Sequence, residues 1–174
     1  MLDILGQFLQ AILGIIPRLV IIRTTHGGVK FRRGKKAIVM KPGLHAYWPL
    51  ITQVEVVPVA RQTMSLPSQV LTTQDDKSVV VAGSVVFTIN DMLLAYGGLN
   101  WDVATTLDDV ARSAIVEIIT GKTMEQLKGC KATIQTEFTR LCRKRLKVYG
   151  VGVHKAYFTD LSPCKVYRLV GNLS

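Results

Sequence analysis

Ser78-Val79-Val80-Val81-Ala82-Gly83-Ser84-Val85-Val86-Phe87-Thr88-Ile89 decides the fold class. The stretch carries no charge and is rich in β-branched residues, which pack well on a pleated surface and lose side-chain freedom in a helix. With a period of two, Val79, Val81, Val85, Phe87 and Ile89 share one face, and Val80, Ala82, Ser84, Val86 and Thr88 the other. Apolar residues on both faces predict a central strand, covered on at least one side. Toward the N-terminus, shorter strands are expected over 19–25, 29–31, 37–40, 53–59 and 62–66. His26-Gly27-Gly28 and Lys41-Pro42-Gly43-Leu44 read as turns between them. Toward the C-terminus, Asn90 or Asp91 is placed to cap a short helix ending at Gly97-Gly98.

Two longer helices follow. Over 102–119, Val103, Leu107, Val110, Ala111, Ala114, Ile115 and Ile118 line one face, and Gly121 ends the run. Thr123-Met124-Glu125-Gln126 fits a capping box. The helix it opens buries Leu127, Cys130, Ile134, Phe138, Leu141 and Cys142. Arg140, Arg143, Lys144, Arg145 and Lys147 fall in its last turns, where cations complement the helix dipole. Gly150 stops it, and a final strand is expected over 151–161. A β-rich half followed by helices packed on strands defines an α+β fold.

The 174 residues suit one domain with a short appendage, and 48% apolar content is ample for a core. Three cysteines without a Cys-x-x-Cys pair give neither a disulfide framework nor a zinc pattern. His26, His45 and His154 lack metal-ligand spacing. No nucleophile, base and oxyanion donors assemble, so no catalytic residue, metal or cofactor is expected. Gly150-x-Gly152 precedes a strand rather than a helix and is no dinucleotide fingerprint. The net charge of +10 allows contact with phosphate or anionic lipid. Aromatic content of 7% argues against a base-stacking nucleic-acid binder.

The N-terminus stands apart. Residues 4–17 carry no charge. As a helix these fourteen residues would extend ~21 Å, short of the ~30 Å needed to span a bilayer. Asp3, Gln7, Gln10, Gly14 and Arg18 step by four, three, four and four, one thin polar stripe on an otherwise apolar helix. That pattern suits burial along a membrane interface, with Leu2, Leu5, Phe8, Leu9, Ile12, Leu13, Ile15 and Ile16 as anchoring side chains. An ordinary buried core helix is the competing reading. Tyr47 and Trp48, beside Pro49, are expected at the headgroup level, or else in the small β core. Lys30, Arg32, Arg33, Lys35 and Lys36 crowd a seven-residue run and are assigned to anionic lipid headgroups. Arg140, Arg143, Lys144, Arg145 and Lys147 are assigned a solvated or subunit-facing role, with Asp75, Asp76, Asp108 and Asp109 of a neighbour as partners.

The order of these features carries a resemblance. Lys41-Pro42-Gly43-Leu44, Pro49 and Arg61 precede Gln69-Val70-Leu71-Thr72-Thr73-Gln74-Asp75 and the central strand. Arg112, Ile115 and Gly121-Lys122-Thr123-Met124-Glu125-Gln126-Leu127 follow. Tyr149-Gly150-Val151-Gly152-Val153 then leads into Tyr157-Phe158-Thr159-Asp160-Leu161. Over about residues 19–162 this resembles the stomatin/prohibitin/flotillin superfamily, also called SPFH or band 7, with stomatins the most similar branch. The resemblance implies a hydrophobic membrane segment over 1–18, a β-rich subdomain over 19–90, an α/β subdomain over 91–162 and a tail over 163–174. It also implies a non-enzyme that organises membrane microdomains as a ring or cage of many copies, with membrane proteases or channels as regulated partners. Stomatin relatives usually continue into a long coiled coil, and no heptads follow Leu161. No cysteine precedes residue 130, so palmitoylation near the N-terminal segment is not expected.

The expected function is therefore a membrane-attached homo-oligomeric scaffold, monotopic on one leaflet with its soluble part on the cytoplasmic side. The alternative is a regulatory module that docks on a membrane protease or transporter. A basic nucleic-acid binder ranks third and would lose its ligand in salt. Replacing Leu9 and Ile12 with Glu should release the protein from membranes in a flotation assay, and a variant that still floats would show that this segment is not the anchor.

Overall fold

The computed structural model describes residues 16–34, 36–97 and 102–164. The helix expected over 1–18 and the tail from 165 onward fall outside them, apart from Ile16, Pro17 and Arg18. Among the described residues no helix is long and apolar enough to cross a membrane. The strands are β1 (Arg18–Ile22), β2 (His26–Arg32), β3 (Lys36–Met40), β4 (Gly43–Tyr47), β5 (Thr52–Pro58), β6 (Gln62–Thr72), β7 (Ser78–Ile89) and β8 (Val151–Pro163). The helices are α1 (Met92–Tyr96), α2 (Val103–Thr120), α3 (Met124–Gly129) and α4 (Lys131–Leu146), with a 3-10 turn over Lys147–Tyr149.

The chain divides into two compact units that exchange segments. Among the described residues the first comprises 16–34, 36–61, 89–97, 102–103 and 149–151. It holds an antiparallel β1–β4 ribbon and a three-stranded sheet in the order β3-β2-β5. Ile22, Val29, Met40, Ile89, Met92, Ala95, Val103 and Val151 are its buried apolar residues. The second comprises residues 62–88, 104–148 and 152–164, with a sheet in the order β6-β7-β8 and helices α2, α3 and α4. The chain passes from the second unit to the first at 88/89, and β6 and β7 before that point belong to the second unit.

β7 is central in its sheet, and Val79, Val81 and Val85 are fully buried. Its opposite face is half-buried except at Ser84, which is buried and whose hydroxyl donates to the Met64 carbonyl. β6 runs on to Thr72, past the end expected at 66. A register shift between Leu66 and Gln69 accommodates Pro67, which has no N–H to donate and is tolerated because β6 is an edge strand. Asp91 caps α1 by accepting from the Leu93 and Leu94 N–H groups. The Thr123/Gln126 capping box forms with both reciprocal bonds.

Three local expectations are corrected. His26-Gly27-Gly28 is not a turn. The chain reverses at Thr24-Thr25, and both glycines lie buried within β2. They are small because of close packing: a Cβ on Gly27 would sit 2.9 Å from Val59 Cγ1, and one on Gly28 would sit 2.4 Å from Ile22 Cδ1. The helix after Thr123 is two helices. Cys130, at φ −122° and ψ 39°, breaks the run after Gly129, and its side chain is exposed rather than buried. On α2, Val110 is only half-buried, and Ile119 joins the core instead.

Gly150 ends the last helical turn at φ +73°, a left-handed conformation that only glycine adopts without strain. Its carbonyl accepts from the Asn90 and Asp91 N–H groups at 2.9 and 3.0 Å. A Cβ there would lie 2.4 Å from the Asp91 carbonyl oxygen. Gly150→Ala should therefore lower stability by about 2 kcal/mol or more. Gly129→Ala meets open space and should raise stability by up to ~1 kcal/mol. Urea midpoints of the two variants check both signs.

Candidate functional site

The β1–β4 ribbon presents its apolar residues outward. Register pairs Leu19 with Ala46 and Ile21 with Leu44. Residues two apart in a strand, and their cross-strand partners, share a face. All four are exposed, Leu19 at 68%, Ile21 at 72% and Leu44 at 63%. The Trp48-Pro49-Leu50-Ile51 loop continues the patch, with Leu50 67% and Trp48 49% exposed. Contiguous apolar exposure of this kind marks an interaction surface rather than random surface composition.

Two further features of the same unit meet this loop. The Arg33 N–H donates to the Ile51 carbonyl at 2.8 Å, tying the basic β2–β3 turn to it. Arg33 holds a left-handed φ of 52° there, uncommon for a branched-headed, Cβ-bearing residue. Arg32, Arg33 and Lys36 are exposed beside the loop, Lys30 is half-buried, and Lys35 lies outside the described residues. The register pair Arg18–Tyr47 brings the chain into β1 next to Trp48, so exposed Ile16 and Pro17 arrive at the same edge. Tyr47 is half-buried. Of the anchoring residues read from the sequence, only Ile16 is described. Leu19, Ile21, Leu44, Leu50 and Ile51 were not read as exposed, because an unbroken apolar run such as Leu19-Val20-Ile21-Ile22 looks like a strand buried on both faces.

In the second unit the basic α4 residues split by role. Arg143 donates through Nε and Nη2 to the Val153 and His154 carbonyls, each at 3.1 Å. Arg145 pairs with Glu117 and donates to the Ser113 hydroxyl at 3.1 Å. Arg140, Lys144 and Lys147 are exposed. Of the acids assigned to a neighbour, Asp108 pairs with Arg112 at 2.7 Å, while Asp76 and Asp109 are exposed. Asp75 lies 2.8 Å from the Lys77 ammonium, accepts from the Thr73 hydroxyl at 2.6 Å and accepts from the Met124 N–H at 3.0 Å. It fastens its turn to the start of α3. Lys77 first, then Thr73 and the Met124 N–H, hold its carboxyl far below the usual carboxylate range.

Each histidine is engaged locally: His26 with the Thr25 hydroxyl, His45 with the Lys41 carbonyl and His154 with the Thr88 hydroxyl. Burial pushes the Cys142 thiol up to about 12, so it is not a nucleophile near neutral pH. Among the described residues no cluster of three His, Cys, Asp or Glu side chains could hold a metal ion.

The family model described as SPFH domain / Band 7 family matches residues 20–169, and the chain belongs to that family. It is also similar to an uncharacterized protein of Methanocaldococcus jannaschii, MJ0827, with 21% identity over 149 residues, covering 86% of this chain and 74% of the relative. SPFH domains are generally associated with membrane-microdomain scaffolding, often contact lipid and self-associate, and are typically non-catalytic.

Because the Asp75 carboxyl is held low in the folded state, the stability it contributes is fully present above its unfolded value of 3.8 and is lost as pH falls through that value toward the folded one. Urea unfolding of Asp75→Asn should show a shallower loss of midpoint than wild type between about pH 5 and pH 2.5. Parallel curves would mean that Asp75 gains nothing from its partners.

Proposed function

We propose that this chain is a membrane-attached homo-oligomeric scaffold of the stomatin type, monotopic on one leaflet, with its described domain on the cytoplasmic side. The observation that carries the reading is the exposed apolar face of β1 and β4, continued by Trp48 and Leu50 and edged by Arg32, Arg33 and Lys36. An apolar patch rimmed by cations is the composition that a leaflet surface accepts, tails against the aliphatic side chains and anionic headgroups against the guanidinium and ammonium groups. Magnitudes rank the two contributions. Burial of Leu19, Ile21, Leu44 and Leu50 is worth on the order of 1.5–3 kcal/mol each. The three cations add about 1 kcal/mol each and are screened by salt. Attachment is therefore apolar in the main and persists in high salt. Family habit supports assembly into a ring or cage that organises the enclosed lipid.

Trp48 reports on the contact directly. In a Trp101→Phe background it is the sole tryptophan, since the chain has two. Adding vesicles of neutral and anionic lipid in ~1 M NaCl should blue-shift its emission and shield it from an aqueous quencher. Leu44→Glu with Leu50→Glu should remove both effects. An unshifted emission in the parent protein would contradict the membrane reading of this edge.

A further inference from the structure

Among the described residues β8 (Val151–Pro163) lies at the edge of its sheet, with no neighbouring strand on one of its sides. Helix α4 serves the first part of that strand with side chains. The Thr139 hydroxyl donates to the Ala156 carbonyl at 3.0 Å and accepts from the Ala156 N–H at 3.1 Å. Arg143 takes the Val153 and His154 carbonyls. Beyond Ala156, among the described residues, no α4 side chain hydrogen-bonds the β8 backbone. There a cleft of about 340 Å³ opens between Lys131, Ile134 and Gln135 of α4 and residues 158–162 of β8. It adjoins a shallower groove of about 660 Å³, which shares Gln135 and is lined by Thr136, Arg140, Arg143 and Lys155.

The charge along this path is one-sided. Lys131, Arg140, Arg143 and Lys155 contribute four cations, and none of them forms an ion pair among the described residues. By contrast, Arg145 on the same helix is matched by Glu117, and nearby Lys122 by Glu137 at 3.1 Å. The one carboxylate lining the path, Asp160, accepts from the Ser162 hydroxyl at 2.6 Å. Arg143 is pre-organised, because two carbonyls fix its guanidinium. The aromatic rings here are already in use: Phe158 stacks on Phe138 with centroids 4.9 Å apart, and Lys155 lies over Tyr157.

We propose that the α4–β8 groove binds an extended acidic peptide, laid along the free side of β8. Its carboxylates meet Arg140, Lys155 and Lys131, its backbone meets the strand edge, and an apolar side chain enters the cleft against Phe158 and Leu161. Strand addition gives affinity through backbone hydrogen bonds and selectivity through alternate side chains. Unmatched cations select an acidic partner and speed its arrival. A strand edge rewards another backbone more than it rewards a lipid headgroup or a polyphosphate. A nucleic acid lacks free aromatic faces to stack on here. The inference rests on the second unit alone and does not need the membrane reading.

The test uses the full chain in mild detergent and a fluorescein-labelled octapeptide of alternating Glu and Val, read by anisotropy. Arg140→Glu with Lys155→Glu should weaken binding at least about tenfold. Lys144→Glu with Lys147→Glu changes net charge equally outside the groove and should cost no more than about threefold. A peptide N-methylated at every central amide keeps its charges but loses the N–H groups facing either side of the strand, and should bind at least about tenfold more weakly than the parent. Both cations at the first pair are exposed, and Arg140→Gln and Lys155→Gln serve if the reversal variant misfolds. Absent binding to wild type overturns the proposal. So does equal loss in the two double variants, an unimpaired N-methylated peptide, or equal competition by polyphosphate at matched charge, since each would mean unspecific attraction to a basic protein.

Discussion

The pairing register of β1 on β4 is the constraint on which the exposed apolar edge depends. Leu19 opposite Ala46 and Ile21 opposite Leu44 place four apolar side chains on one outer face, while Ile22 turns inward and is buried. A slip of one residue would exchange the two sets, exposing Ile22 and withdrawing the patch. The same register brings the chain into the fold at Arg18, opposite Tyr47 and next to Trp48. The Arg33 N–H bond to the Ile51 carbonyl then draws the basic turn to that loop. Apolar face, aromatic residue and cations are thus assembled by backbone geometry, with no side-chain network required.

The second unit is built differently. Its core is the β7 valine face with the apolar stripe of α2 and the buried residues of α3 and α4, among them Leu107, Ile115, Leu127 and Phe138. Its polar bonds serve position more than chemistry. Asp75 ties the turn before β7 to the start of α3, Arg145 links α4 to α2, and Thr139 with Arg143 binds α4 to β8. Among the described residues these bonds leave Lys131 and Arg140 of α4 and Lys155 of β8 without an ion pair. Family membership places the chain among typically non-catalytic proteins that contact lipid and self-associate.

Local chemistry was readable where a few neighbouring residues determine it. The β7 alternation, the Asp91 cap, the Thr123/Gln126 capping box and, apart from Val110, the stripe on α2 all follow from spacing alone, and each forms. Features set by distant partners were not readable. Gly27-Gly28 looks like a turn until Val59, Met92 and Ile22 are seen to crowd it. Cys130 fits the buried stripe of one long helix until the chain bends there. The basic run on α4 looks uniform, yet Arg143 and Arg145 are engaged internally, and only the fold distinguishes them from Arg140. The outward face of β1 was hidden for the same reason: an all-apolar strand gives no alternation from which to read direction.

Assembly at the membrane is the central claim, and imaging of the protein extracted from membranes in mild detergent tests it most directly. Closed rings or cages of uniform size are the predicted result and would establish that this chain builds a scaffold. A field of small, unassembled particles, at concentrations where the protein remains folded, would contradict the scaffold and leave a docking module in its place.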